Sequence, residues 1–259
     1  MNVTIRMIGM ATTFFWIFLI AFSASAMYSV KDVYFDFEKP QISITADSEL
    51  LLSLPINIVN NGYYDIGPFH ITTEVSDVDG NLITRGSTLI PIIRKGIGVN
   101  GFHNITLDIN DLLTNRSYYL FDDTGLRIAE FVNLKIAEII PIQASTNFSI
   151  PWGAPLYNFT LGKPETETFD LTHFKVIIPI SFENHAFYDI FGNIQISMYN
   201  SAELFVGQGQ TEIEVPQYSP YNGLVEFYVS MTEFTSSGHF EVFFQTQLFN
   251  YGPLVIPYG

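Results

Sequence analysis

Five histidines, His70, His103, His173, His185 and His239, are the residues of this chain best suited to metal or proton chemistry. A metal site built on one element needs them paired as HxH or HExxH, and none of the five has such spacing. There is no cysteine, which removes thiolate ligands, thiol nucleophiles and disulfides together. Asp77-Val78-Asp79-Gly80-Asn81 places two carboxylates as a calcium loop does, but the glycine comes two residues early and no closing glutamate follows. It reads instead as the Asp-Gly turn of a hairpin. No GxSxG, phosphate-loop or dinucleotide glycine pattern occurs. The expectation is therefore no catalytic residue, no metal ligand, no cofactor and no enzyme.

The remaining polar candidates come in pairs. Asn60 followed by Tyr64-Asp65 returns as Asn184 followed by Tyr188-Asp189, 124 residues later. Asn and Asp close turns through their side chains and Tyr packs over them with its hydroxyl satisfied, so the repetition marks a structural corner rather than a reaction site. The surrounding stretches, Leu54 to Ile66 and Ile178 to Ile190, agree at six of thirteen positions. Lys39-Pro40 answers Lys163-Pro164 at the same offset, and Gly86 with Thr88 answers Gly209 with Thr211. Ile150-Pro151-Trp152-Gly153 answers Ile256-Pro257-Tyr258-Gly259 at an offset of 106, so the first copy carries an insertion between Leu112 and Leu134. The chain is thus two tandem copies, 32–153 and 154–259, behind an N-terminal segment, 1–28.

Each copy reads as β. Ile105, Leu107 and Ile109, and Val225, Phe227, Val229 and Met231, alternate with polar residues as half-buried strands do. Leu50 to Val59 and Phe174 to Phe182 are apolar runs of core strands, in which Pro55 and Pro179 mark an edge or a bulge. Glu241 to Phe249 is apolar on both faces, which makes it a central strand or, at an edge, a site for pairing with another chain. Short strands with turn signals between them predict two antiparallel β-sandwiches of immunoglobulin or fibronectin type. The insertion is expected to hold a short helix near 122–134, capped by Asp123, since Leu126, Ala129, Val132 or Asn133, Ile136 and Ile139 or Ile140 recur at three or four residues; a strand due to begin near Leu134 confines the helix to Thr124 to Asn133.

The pattern resembles the late-embryogenesis-abundant 14-like, or water-stress and hypersensitive-response (WHy), domain. The residues that carry the resemblance are Lys39-Pro40, Pro55 to Asn60, Tyr64-Asp65-Ile66 and Asp79-Gly80-Asn81 leading to Arg85-Gly86. In the second copy Lys163-Pro164, Asn184 and Tyr188-Asp189-Ile190 match, while Asn200-Ser201-Ala202-Glu203 replaces the Asp-Gly hairpin. The resemblance implies a sandwich without a catalytic centre, often tethered by one N-terminal membrane segment and associated with dehydration stress.

Location follows from the N-terminus. Met7 to Met27 contains no charged residue, and at 1.5 Å per residue about 20 such residues cross the roughly 30 Å hydrocarbon core of a bilayer. Ala24-Ser25-Ala26 is a small-x-small site, so residues 7–27 are either a membrane anchor or a signal peptide cut after Ala26. Both place the copies outside the cytoplasm, cell-surface in the first case and secreted in the second. Asn104, Asn115, Asn147 and Asn158 open N-glycosylation sequons there. Glycan signals without cysteine fit an archaeal cell surface.

Composition narrows the function. With 26 acidic against 11 basic groups, a formal charge of −15, the chain lacks the basic face that nucleic acid requires. With 47% apolar residues and only 14% charged, it is not a disordered acidic tail. A membrane-tethered, non-enzymatic cell-surface protein with structural, adhesive or stress-protective ends, and self-association or a protein partner, is the leading expectation. The alternative is an extracytoplasmic module that binds a lipid or another apolar ligand between the sheets, which requires an internal cavity lined by Phe and Ile.

Overall fold

A computed structural model describes residues 3–39, 41–45, 47 and 49–259, and side chains from residue 10 onward. The proline of Lys39-Pro40 lies outside the described residues. The chain opens with α1 (Val3–Val30), a single helix of 28 residues. Its Met10–Val30 portion is long and apolar enough to cross a membrane, and almost none of it is covered by protein. A helix that is apolar all round and uncovered has no stripe with which to pack on a soluble core.

The first copy contains β1 (Val33–Phe37), β2 (Gln41–Ile44), β3 (Leu50–Asn60), β4 (Phe69–Ser76), β5 (Leu82–Ile90) and β6 (Ile97–Leu107). Two short helices follow, α2 (Ile109–Asn115) and α3 (Tyr118–Phe121), and then β7 (Thr124–Ile136) and β8 (Ile140–Trp152). The second copy contains β9 (Tyr157–Leu161), β10 (Glu165–Thr168), β11 (His173–Asn184), β12 (Ile190–Asn200), β13 (Phe205–Val215), β14 (Ser219–Ser230), β15 (Gly238–Thr246) and β16 (Asn250–Tyr258). All pairings are antiparallel.

One sheet of the first copy joins β3 to β1, β2 and β6, and the other has the order β5-β4-β7-β8. The second copy repeats both, with β11 joined to β9, β10 and β14 and the order β13-β12-β15-β16. The sheets of the first copy meet through Ile56 and Ile58 of one and Phe69, Ile71 and Ile90 of the other. The fold is thus mainly β, two sandwiches behind an N-terminal helix.

The repeated residues explain themselves in this frame. Pro55 faces β6 on one side, and on the other it lies between the stretches of β3 that pair with β2 and with β1. Pro179 occupies the same gap between the partners β10 and β9 of β11. A residue that donates no N–H costs nothing where the neighbouring edge strand is broken. At the seam between β5 and β6 a Cβ on Gly86 would come 2.7 Å from the Asn104 carbonyl oxygen, and one on Gly209 would come 2.7 Å from that of Glu226. Glycine is required at both because two backbones approach there.

The Asp77–Asn81 turn is the expected hairpin between β4 and β5, with Gly80 at φ 89°. Buried Asp77 accepts from the Asp79 and Asn81 amides through Oδ1 and from Arg116 Nε through Oδ2. Burial pushes this carboxyl up, but the hydrogen bonds led by Asn81 outweigh it and hold it below the usual carboxylate range. Glu241 to Thr246 is internal, paired with β12 on one side and β16 on the other.

The helix expected near 122–134 is not there. Residues 124–136 form β7, flanked by β4 and β8. Leu126 and Ile128 are buried on one face while Phe131 is partly exposed on the other, and apolar residues on both faces of a strand imitate a helical spacing. The helices stand earlier, at 109–121. Asp108 caps α2, its Oδ1 accepting from the Asp111 amide at 2.8 Å, and Ile109, Leu112 and Leu113 form its buried stripe. Asp108 before an apolar i, i+3, i+4 pattern is the start signal that identifies it. Ile109, expected to close a strand, opens this helix.

Candidate functional site

The paired Asn-Tyr-Asp motifs form two equivalent corners, and each receives the segment that leads into its copy. In the first, Asn60 is buried, its Nδ2 donating to the Tyr64 and Ile93 carbonyls at 3.0 Å and its Oδ1 accepting from the Gly62 amide at 3.1 Å. Asp65 Oδ1 accepts from the Lys95 amide. In the second, Asn184 Nδ2 donates to the Tyr188, Val215 and Pro216 carbonyls, its Oδ1 accepts from the Ala186 amide, and Asp189 takes the Gln217 amide. A carboxamide offers two N–H donors and a separate acceptor oxygen from one short side chain, which is what the crossing of three chain segments demands.

The first corner holds the end of α1. Ser25 Oγ and Tyr64 Oη are 2.7 Å apart, Ser29 Oγ accepts from the Tyr63 amide at 2.7 Å, and the Phe22 ring stands edge-on to Tyr64 at 5.6 Å. Ala26 and Ser29 are buried there. The expected cleavage site thus lies within a continuous helix, under the corner.

The second corner holds the first copy. Trp152 is buried, its Nε1 donating to the Tyr119 carbonyl at 2.9 Å and its ring edge-on to Tyr119 and Phe187. Leu156 N donates to the Leu120 carbonyl, Phe121 meets Phe159 and Tyr251, and Asn250 N donates to Asn110 Oδ1. One hydrophobic core runs from Leu50 and Leu112 through Trp152 to Val176 and Phe249. The inserted helices are therefore the coupler between the sandwiches. The expected satisfied hydroxyl holds for Tyr64 but not for Tyr188, whose buried Oη has no hydrogen-bond partner.

His185 is the histidine this seam uses. Its Nδ1 donates to Asp123 Oδ2 at 2.7 Å across the seam, its Nε2 to Glu183 Oε2 at 3.0 Å, and its ring stacks on Tyr157. Asp123, expected to cap a helix, holds His185 and the Ala154 amide instead. Asp123 first, and then Glu183, raise the His185 pKa above 6.5, because only the imidazolium offers an N–H to both carboxylates. The stabilisation it adds is fully present below the unfolded value and is lost as pH rises through the higher folded one. The melting advantage of the native chain over His185→Asn is expected to be largest below the ordinary histidine value of about 6.5 and to shrink as pH rises above it. Parallel melting curves on both sides of that value check it, and an advantage independent of pH would refute the ion-pair account.

The other histidines are dispersed. His103 is buried between the hydroxyls of Thr73 and Thr88 on β6, and burial lowers its pKa, so it is a neutral core residue. His173 bonds to Asp170 at the far end of the second copy, His239 stacks on Tyr199, and His70 lies on β4. Among the described residues no three His, Asp or Glu are placed to hold a metal. Asn104, Asn115, Asn147 and Asn158 are all exposed. Two of the surface depressions lie over strand irregularities: Phe243, Gln245 and Gly252 line one at the break in β15–β16 pairing, and Gly162, Pro179 and Leu224 line one at the gap beside Pro179.

No family model matches the chain, and no curated protein matches it. Among solved structures it is similar to a red sea bream transglutaminase, with a TM-score of 0.31 and 13% identity, over 88% of this chain and 31% of that one. It is also similar to a glycosyl hydrolase family 2 member from Bacteroides cellulosilyticus DSM 14838, with a TM-score of 0.33 and 8% identity, over 81% and 28%. The chain spans less than a third of either protein, and likeness at this level carries no argument about activity.

Proposed function

We propose that this chain is a membrane-tethered, non-enzymatic cell-surface protein in which two LEA14-like sandwiches form a short, stiff, glycosylated stalk with a structural role. The observation that carries this reading is the docking of α1: the helix long enough to span a bilayer runs unbroken into the corner of the first sandwich and is fastened there through Ser25 and Ser29. A signal peptide needs no contact with the domain it delivers, whereas an anchor fastened to a stalk does. The common core across the seam supports stiffness, and the four exposed sequons support a surface position.

The expected result is that the protein sediments with membranes, resists alkaline extraction, and yields an intact peptide spanning Met27 on mass spectrometry of the mature chain. A soluble form beginning at Met27 would overturn the tether. Native mass spectrometry of the exported part tests the non-carrier role, since stoichiometric co-purifying lipid would contradict it.

A further inference from the structure

The same end of the two copies meets different surroundings. In the second copy it is covered in part by protein: Phe187 packs on Trp152, and Leu248 and Phe249 of the β15–β16 turn are buried, while Tyr218 of the β13–β14 turn stays exposed. In the first copy the equivalent loops are held together around Ile66, which bridges Ile93 and Ile136, yet their tips are bare. Ile139 of the β7–β8 turn is 71% exposed and Ile92 47%, and Tyr28 and Tyr63 stack face to face in the open beside them.

Charge divides the same way. The segments at this end, 27–32, 61–68, 91–96 and 135–139, hold four of the ten basic residues that follow α1's Arg6, and three of the 26 acidic ones. The basic four are Lys31, Arg94, Lys95 and Lys135, all exposed. Lys31 Nζ sits 3.8 Å over the Tyr28 ring, and Lys95 Nζ lies 5.9 Å from that of Tyr63. With the three acids Asp32, Asp65 and Glu138 counted, this end carries a formal charge of +1, and Asp65 also accepts from the Lys95 amide. The second copy, by contrast, has eleven acidic residues against Lys163 and Lys175.

The helix sets the distance. About 20 residues fill the hydrocarbon core, so a span over 7–27 ends two residues before Ser29, which is itself bonded to the corner. No linker is left to lift the sandwich away from the headgroups.

From these observations we propose that this end of the first sandwich is a membrane-contact surface, seated on the headgroup layer of the bilayer that α1 spans. Ile92, Ile139, Tyr28 and Tyr63 enter the interface, and Lys31, Arg94, Lys95 and Lys135 meet anionic lipid headgroups. The acidic second sandwich is repelled by the same surface, which sets the stalk upright. The proposal rests on the reading of α1 as a retained span.

Because the chain has no cysteine, single labels test it cleanly in the full-length protein. Ile17→Cys, Ile92→Cys, Ile139→Cys and Leu171→Cys carry an environment-sensitive fluorophore in vesicles of phosphatidylcholine and phosphatidylglycerol, with nitroxides at the headgroup or mid-chain. Leu171, 97% exposed at the far end of the second copy, is the aqueous reference. Headgroup quenching at 92 and 139 is expected to exceed that at 171 by about three-fold or more, and mid-chain quenching to be confined to 17. Glutamate at all four basic positions is expected to lower quenching at 139 while leaving 17 unchanged. Quenching at 17 with 92 and 139 as aqueous as 171 would overturn the contact surface and leave the anchor standing. An aqueous 17 would overturn the anchor and the surface with it.

Discussion

Replacing Asn184 by aspartate is expected to unfold the second sandwich near neutral pH, and to be more damaging than replacing it by alanine. Asn184 is fully buried, and its Nδ2 donates to the carbonyls of Tyr188 at 2.9 Å and of Val215 and Pro216 at 3.2 Å, while Oδ1 accepts from the Ala186 amide at 3.0 Å. Alanine removes the donor and the acceptor and leaves these groups without partners, a loss of about 3 kcal/mol. Aspartate keeps the acceptor but turns a carboxylate oxygen towards three carbonyl oxygens, in a place water does not reach. A buried, unpaired charge costs several kcal/mol more, which is a large part of the roughly 5–15 kcal/mol that stabilises a domain.

The two variants also separate by pH. The aspartate has its folded pKa raised by burial and by the facing carbonyls, so stability is present in the protonated form and lost as pH rises through that value. Acidification is expected to rescue Asn184→Asp and not Asn184→Ala. Urea unfolding followed by circular dichroism at about pH 4.5 and 7.5 checks both claims. Equal midpoints for the two variants at neutral pH would mean that the corner is held by packing alone.

Trp152→Ala is expected to cost about 3–5 kcal/mol and to uncouple the two sandwiches. The indole is 1% exposed and fills the space among Tyr119, Phe187 and Tyr188, where no single neighbour can collapse into the hole. Its Nε1–H also satisfies the Tyr119 carbonyl. Trp152→Phe keeps most of the ring and strands that carbonyl, so its loss is expected to be smaller, about 1–2 kcal/mol. The native chain, with one core crossing the seam, is expected to unfold in one transition, and the alanine variant in two. Circular dichroism follows both melts, because Trp152→Ala leaves no tryptophan after Trp16 of α1 to report unfolding of the sandwiches. A single transition at an unchanged midpoint for Trp152→Ala would show that the seam does not couple the copies.

The sequence was sufficient wherever the physics is local or repeated. Period-two apolar residues, the Asp-Gly turn and the two proline positions each constrain a few neighbouring residues, and the internal repeat applies the constraint twice. The mainly β, two-sandwich fold was therefore legible. Residues 124–136 were not, because β7 carries apolar side chains on both faces, and the spacing does not distinguish a doubly covered strand from a helix. Asp108 did announce α2 locally, three residues ahead of the amide it helps cap.

What only tertiary structure decided is which surface each repeated corner meets. Nothing along the chain ties Ser25 to Tyr64, Asp123 to His185 or Trp152 to Phe187, since these contacts join segments that become neighbours only after the sheets have closed. The sequence determined that the corners are alike. Folding decided that one encloses the end of an apolar helix and the other the first copy of the domain, because identical local hydrogen bonding leaves the outer face of a corner free to be covered by whatever the chain delivers to it.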